Sequence, residues 1–301
     1  MLELRNPRVA IPVVLFAGLL WSFGPLVVRY MDNPQLVPWQ YIFGRGLTIF
    51  ILLNLYLFFE EGKNFYKNYY KIGLSGVIGG SGLGIAMITF IYSITNTSAA
   101  VTLLCLAAMP FFTALLAFLF LKEKITLSVW ISILIASFGI IIMALGSTDE
   151  KSLTGFVFGL TSSLGFSVFS VTLRWRKETP KFTTVAFSGL FCLIFASFVI
   201  LSNNLDFFST SYNGALFSLH GTLVCFGLIL YSIGSKAIPA AELTLLSLTE
   251  VVGGIFWVWV PIFGINEVPS TSTIVGGFFL FLSLFYYSLI MRWNKRYIAL
   301  N

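Results

Sequence analysis

The chain has 301 residues, 57% of them hydrophobic and 10% charged, with a mean hydropathy of +0.92 and a formal charge of +6. Soluble domains carry a charged fraction nearer a quarter, so an ordinary soluble fold is excluded and a polytopic membrane protein is implied. The positive charge is no nucleic-acid signature, because Lys and Arg stand singly between apolar spans rather than in one solvated patch.

Ten apolar runs follow in order, at about 9–28, 37–58, 72–94, 98–120, 127–146, 154–173, 183–201, 212–234, 239–263 and 273–291. They are continuous and lack the alternation of barrel strands, so they predict an all-α integral membrane fold with short connections. The N-terminal MLELRNPRVA has a signal-peptide-like charge, but no small-residue cleavage pattern follows and the run continues through Trp21 to Val28. It is expected to remain as the first span.

In the second span Arg45 stands in the string GRG, about 12 Å from the outer end. There it either pairs with a solute carboxylate or snorkels to the interface. Asn54 and Asn96 are expected to bond between helices, and Gly76, Gly80 and Gly84 form a stripe for close helix approach. Gly79-Gly80-Ser81-Gly82 raises an intramembrane serine protease as an alternative, with His220 as the base. A short Gly-rich string among 26 glycines is weak support, and a protease gives no reason for ten helices.

His220, the only histidine, lies in the eighth span and is a candidate proton-coupling group. Cys105, Cys192 and Cys225 all fall in apolar runs without metal-ligand or redox spacing. No metal, cofactor or nucleotide-binding string is expected.

The ninth run, Pro239 to Phe263, places Glu250 roughly 16 Å in, near the bilayer midplane, where an ionisable group marks a solute path by default. Read as one continuous helix, it sets Thr244, Ser247, Gly254 and Trp257 on the face of Glu250. Glu242, at the start of the run, is expected to serve the helix N-terminus. Trp21, Tyr92, Phe166 and Trp257 are candidates to wall a cavity for an amphipathic solute.

Fifteen Lys and Arg fall on one side of the ten spans and only Arg29 and Lys151 on the other, which puts both termini in the cytoplasm. The chain also repeats itself. NTSAAVTLLCLAAMPFFTALLAFLFLKEKIT (Asn96 to Thr126) aligns with AIPAAELTLLSLTEVVGGIFWVWVPIFGINEVPS (Ala237 to Ser270), and WSFGPLVVRY (Trp21 to Tyr30) with FSVFSVTLRW (Phe166 to Trp175). The offset is about 141 to 145 residues, giving two five-helix halves, 1–147 and 148–301. An odd helix number inverts the second half, the architecture of secondary carriers with a midplane site.

These segments, together with LLWSFGPLVVR and FGRGLTIF, resemble the EamA-type members of the drug/metabolite transporter superfamily, over nearly the whole chain. Glu250 matches the acid of the family's Glu-Pro step and Glu267 its Gly-Glu ending, while Val251 and Asn266 replace the Pro and the Gly. The first departure suggests a straighter ninth helix. The resemblance implies ten helices, cytoplasmic termini, a central cavity and solute transport.

The reading is a secondary carrier of the inner membrane moving a small organic metabolite by alternating access, coupled to protons or to exchange. Arg45 and Glu250 together suggest a zwitterion such as an amino acid; export of drugs or cationic amines is the alternative. Partners are expected to be the solute and membrane lipids, with the chain a monomer or homodimer.

Overall fold

The computed structural model describes residues 7–122, 127–146, 150–176, 178–238 and 240–299. Among them there is no strand. Arg5, Glu123, Lys124, Lys177 and Pro239, which enter the charge asymmetry or the repeat alignment, lie outside the described residues. The helices are α1 (Pro7–Ser22), α2 (Gly24–Arg29), α3 (Pro38–Glu61), α4 (Lys67–Tyr70), α5 (Gly73–Asn96), α6 (Ala99–Leu106) and α7 (Met109–Leu121). They continue with α8 (Leu127–Gly146), α9 (Glu150–Trp175), α10 (Lys181–Ser202), α11 (Ser211–Gly234), α12 (Ala240–Leu246), α13 (Thr249–Trp259) and α14 (Thr271–Ala299). Among the described residues eight stretches are long and apolar enough to cross a bilayer, and α8 and α14 carry shorter apolar stretches, Trp130–Gly146 and Thr271–Ser283. This is a multi-pass membrane protein.

Three of the crossing stretches are broken in the middle. Pro25 in the first turn of α2 has no N–H to bond backwards, so the first stretch parts at Phe23. Pro110 does the same at the start of α7. Before it, Ala107 and Ala108 fall back on carbonyls three residues earlier, Leu104 at 3.1 Å and Cys105 at 3.1 Å.

The ninth run breaks without proline. Val251 stands where the straightening was expected, yet the helix stops at Leu246 and restarts at Thr249. The Thr244 hydroxyl donates back to Ala240 and Ala241 O (3.2 and 3.0 Å), and Ser247 Oγ donates to Thr244 O (2.8 Å). Hydroxyls that bond backwards in this way compete for helical carbonyls and bend the chain.

In packing, α5 lies on α9 and α10, α3 on α10 and α11, and α1 on α11 and α13. The broken stretches cross each other, α6 against α13 and α7 against α12, and α8 pairs with α14. Backbones touch where glycines meet. A Cβ on Gly46 would stand 3.0 Å from the Gly189 carbonyl oxygen, and one on Gly189 would stand 3.0 Å from that of Gly46. Gly139 and Gly276 face each other in the same reciprocal way, with the α8 and α14 backbones in contact.

Because the obstacle at Gly46 is backbone, Gly46→Val is expected to cost about 1–3 kcal/mol by overpacking. It should lower the melting temperature and the monodisperse yield in detergent. Gly214→Val, at a position with nothing within 4 Å, should not. Equal melting temperatures for the two variants would contradict close packing of α3 on α10.

Candidate functional site

One cavity, of about 70 Å³, opens where the breaks meet the bundle interior. A single water needs about 10–15 Å³, so the cavity has room for several waters or a small solute. Trp21 at the end of α1, Arg45 on α3, Met87 and Phe90 on α5, and Leu106 and Met109 on either side of the first-half break line it. From the second half come Ser162 and Phe166 on α9, His220 and Val224 on α11, and Glu250 in the first turn of α13.

Arg45 is 3% exposed, so its guanidinium is desolvated from every side but the cavity. Nη2 donates to Met87 O at 2.6 Å, and the cation lies 5.8 Å from the centre of the Tyr41 ring. No other Arg45 donor has a partner among the described residues. Gly46 beside it is what lets α3 approach α10 closely. Arg45 is thus held inside the bundle and does not snorkel.

Glu250 is partly exposed because it borders the cavity. Its carboxylate makes no hydrogen bond or ion pair with any described residue, Arg45 included. The first turn of a helix suits an acid, since unpaired N–H groups point that way. A guanidinium and a carboxyl group therefore border one space with no ion pair between them.

The wall between them is largely aromatic. Trp21 and Phe166 meet edge to face at 5.7 Å, and both touch Tyr231, whose hydroxyl bonds Ser170 Oγ at 2.7 Å. Trp21 Nε1 donates to Val224 O at 3.3 Å, fixing the indole against α11.

Other expected site residues lie elsewhere. Thr244 and Ser247 are buried with their hydroxyls committed to their own helix, and Trp257 donates to Ser22 Oγ (2.9 Å) and stacks on Phe23 at 5.0 Å. The break at Ser247–Leu248 ends the 100° register that had placed them beside Glu250. Tyr92 packs between Trp39 and Phe158, outside the cavity. Asn96 bonds within α5, to Tyr92 O at 2.7 Å, rather than between helices; Asn54 does join two elements, accepting from Tyr69 OH at 2.9 Å. Ser81 does not line the cavity, and His220 Nδ1 is engaged by Tyr41 OH rather than by a serine. Glu242 stands in the first turn of α12. Cys105, Cys192 and Cys225 are free and buried, and no group of His, Cys, Asp and Glu able to hold a metal occurs among the described residues.

Two features escaped the sequence reading. Tyr41, fully buried, links Arg45 and His220. On one face of the bundle, Arg29 forms a two-pronged pair with Glu267, Nε to Oε2 at 2.6 Å and Nη2 to Oε1 at 3.3 Å. The same guanidinium donates to Ile94 O (2.8 Å) and Thr97 O (3.1 Å) at the end of α5, and Glu267 Oε1 accepts from Ala99 N (2.5 Å) at the start of α6.

Residues 8–145 match the EamA-like transporter family. Two proteins named "Uncharacterized transporter" from Helicobacter pylori are similar in sequence. The one from strain J99 is 29% identical over 164 residues, 54% of this chain and 52% of its own length. The other, from strain 26695, is 25% identical over 252 residues, 80% of each chain. The chain thus spans about half the length of the first of these relatives. A solved chain described as "Crystal structure of protein" superposes with a TM-score of 0.65 at 15% identity, covering 95% of this chain and 99% of that one, a likeness of fold.

Proposed function

We propose that the chain, whose residues 8–145 match the EamA-like transporter family, is a secondary transporter of a small zwitterionic metabolite, an amino acid or a close derivative. The observation that carries this reading is that Arg45 and Glu250 border one cavity with no ion pair between them. A solute bearing a carboxylate and an ammonium supplies what each lacks: the guanidinium fork suits the carboxylate, and the helix-borne carboxylate suits the ammonium. That both relatives are named as transporters supports the reading.

The proposed architecture is ten crossings in two inverted halves, 1–147 and 148–301. The packing supports it. Exchanging each crossing for its counterpart five places along turns α5 on α9 into α11 on α1, and α3 on α11 into α10 on α5; α3 on α10 and α8 on α14 map onto themselves. Gly46 and Gly189, where α3 meets α10, stand 143 residues apart, within the offset of the sequence repeat. Rocking of the two halves about the cavity gives alternating access, with proton coupling or exchange at Glu250. The Lys and Arg distribution supports cytoplasmic termini in an inner membrane, with the chain working as a monomer or homodimer.

The aromatic wall of Trp21, Phe90 and Phe166 favours a second reading, export of drugs or cationic amines, since a cation is attracted to ring faces. A thermal-shift screen of the purified protein separates the two. Amino acids are expected to raise the melting temperature most, by the equivalent of about 2.7 kcal/mol at a hundred times Kd, and amines or carboxylic acids of the same skeleton less. Stabilisation by amines alone would favour the second reading, and stabilisation by uncharged solutes alone would exclude both.

A further inference from the structure

We propose that Tyr41 is a positioning residue that fixes the tautomer of His220, so that the imidazole presents Nε2–H to the cavity as a second donor beside Arg45. The proposal rests on the zwitterion reading for what this donor binds, the solute carboxylate, but not for its geometry.

Tyr41 is fully buried on α3, four residues before Arg45, with its ring stacked on Phe217 at 4.9 Å. Its hydroxyl has one partner among the described residues, His220 Nδ1. Two arrangements are open to that bond. If Nδ1–H donates to the phenol oxygen, the phenol O–H is left in an apolar interior with no acceptor, and an orphaned buried donor is costly. If the phenol donates to Nδ1, both groups are satisfied at their contact and the ring proton sits on Nε2. The second arrangement satisfies the phenol and leaves its one free donor, Nε2–H, on a ring that lines the cavity.

His220 itself lines the cavity, and its Nε2 has no partner among the described residues. Room for the ring is made at the break of the first stretch, where a Cβ on Gly24 would come within 2.7 Å of Nε2. Tyr41 also carries the Arg45 guanidinium 5.8 Å from its ring centre. One side chain therefore orients both donors, and the cavity has a donor pole at Arg45 and His220 and an acceptor pole at Glu250. His220 in this role is a hydrogen-bond donor to the solute, not a proton carrier.

His220 is the only histidine, so ¹⁵N-histidine labelling of the full chain, purified through a histidine-free tag, reports a single imidazole. The expected spectrum has Nδ1 unprotonated and Nε2 protonated in the wild type, with the proton shared between both nitrogens in Tyr41→Phe. A protonated Nδ1 in the wild type, or an unchanged spectrum in Tyr41→Phe, overturns the proposal. Two probes of one skeleton, L-leucine and isoamylamine, are titrated alongside by thermal shift. Tyr41→Phe is expected to weaken leucine about tenfold, the loss of one oriented bond to a charged group, and to leave isoamylamine unchanged. His220→Gln, whose amide N–H replaces the ring donor, is expected to hold leucine within about threefold of wild type. If the imidazole behaves as stated but leucine does not bind the wild type, the tautomer assignment stands and the zwitterion reading fails instead.

Discussion

Glu250→Gln is expected to abolish the melting-temperature rise produced by amino acids while leaving the ligand-free protein as stable as the wild type. The two halves of this expectation have separate causes. Without ligand, the carboxylate has no hydrogen bond or ion pair to lose among the described residues, so neutralising it removes no contact there. In the proposed complex it is the one acidic group among the described residues lining the cavity, and its loss would leave a solute ammonium unpaired in a desolvated space. Removing one partner of such a pair costs about 3 kcal/mol or more, on the order of a hundredfold in Kd. The measurement is a dose-response thermal shift with L-leucine, run across pH for both proteins, and the pH dependence of binding should flatten in the variant. An unchanged dose-response curve and pH profile in Glu250→Gln would remove Glu250 from the solute site.

Arg29→Met should destabilise the protein by about 3–4 kcal/mol, the largest effect expected at any position away from the cavity. The substitution strands the Glu267 carboxylate, whose side chain is 21% exposed, and frees two carbonyls at the end of α5. It also loosens the N–H of Ala99, which that carboxylate holds at the start of α6. Glu267→Gln alone should cost less, since an amide oxygen still accepts from Ala99. In a double-mutant cycle, Arg29→Met with Glu267→Gln should be less than additive by about 2 kcal/mol or more. Strict additivity, read from denaturant melts of the four proteins, would mean that the pair contributes nothing as a pair. In the proposed cycle this cluster ties the first half to the segment after α13, so its release accompanies opening of that face.

What the sequence disclosed, and what it withheld, follows from how rare each signal is. Glu250 and Arg45 were legible because an ion in an apolar run is unusual whatever its neighbours. The EamA character was legible in the paired segments, and the family match over residues 8–145 agrees with it. Tyr41 was invisible among 17% aromatic residues, where one phenol looks like any other. Arg29 read as a topology signal because its partner lies 238 positions away, and no local pattern announces a bond of that range. The misplacement of Thr244, Ser247 and Trp257 has one origin: helical periodicity was carried across a break that neither glycine nor proline marks. In the first half Pro110 did mark a break at Ala107 and Ala108, and the repeat alignment could have carried that mark to Leu248 and Thr249.

The reciprocal glycines have a mechanical consequence. At Gly46 against Gly189, and at Gly139 against Gly276, two main chains touch with no side chain between them. A lever turns about the place where its parts are closest, and displacement grows with distance from that fulcrum. In the proposed alternating-access cycle these main-chain contacts would serve as the pivot between the halves, so the work of each swing would fall on the far ends. There the load would be carried by groups able to let go and re-form, such as the ion pair of Arg29 and Glu267.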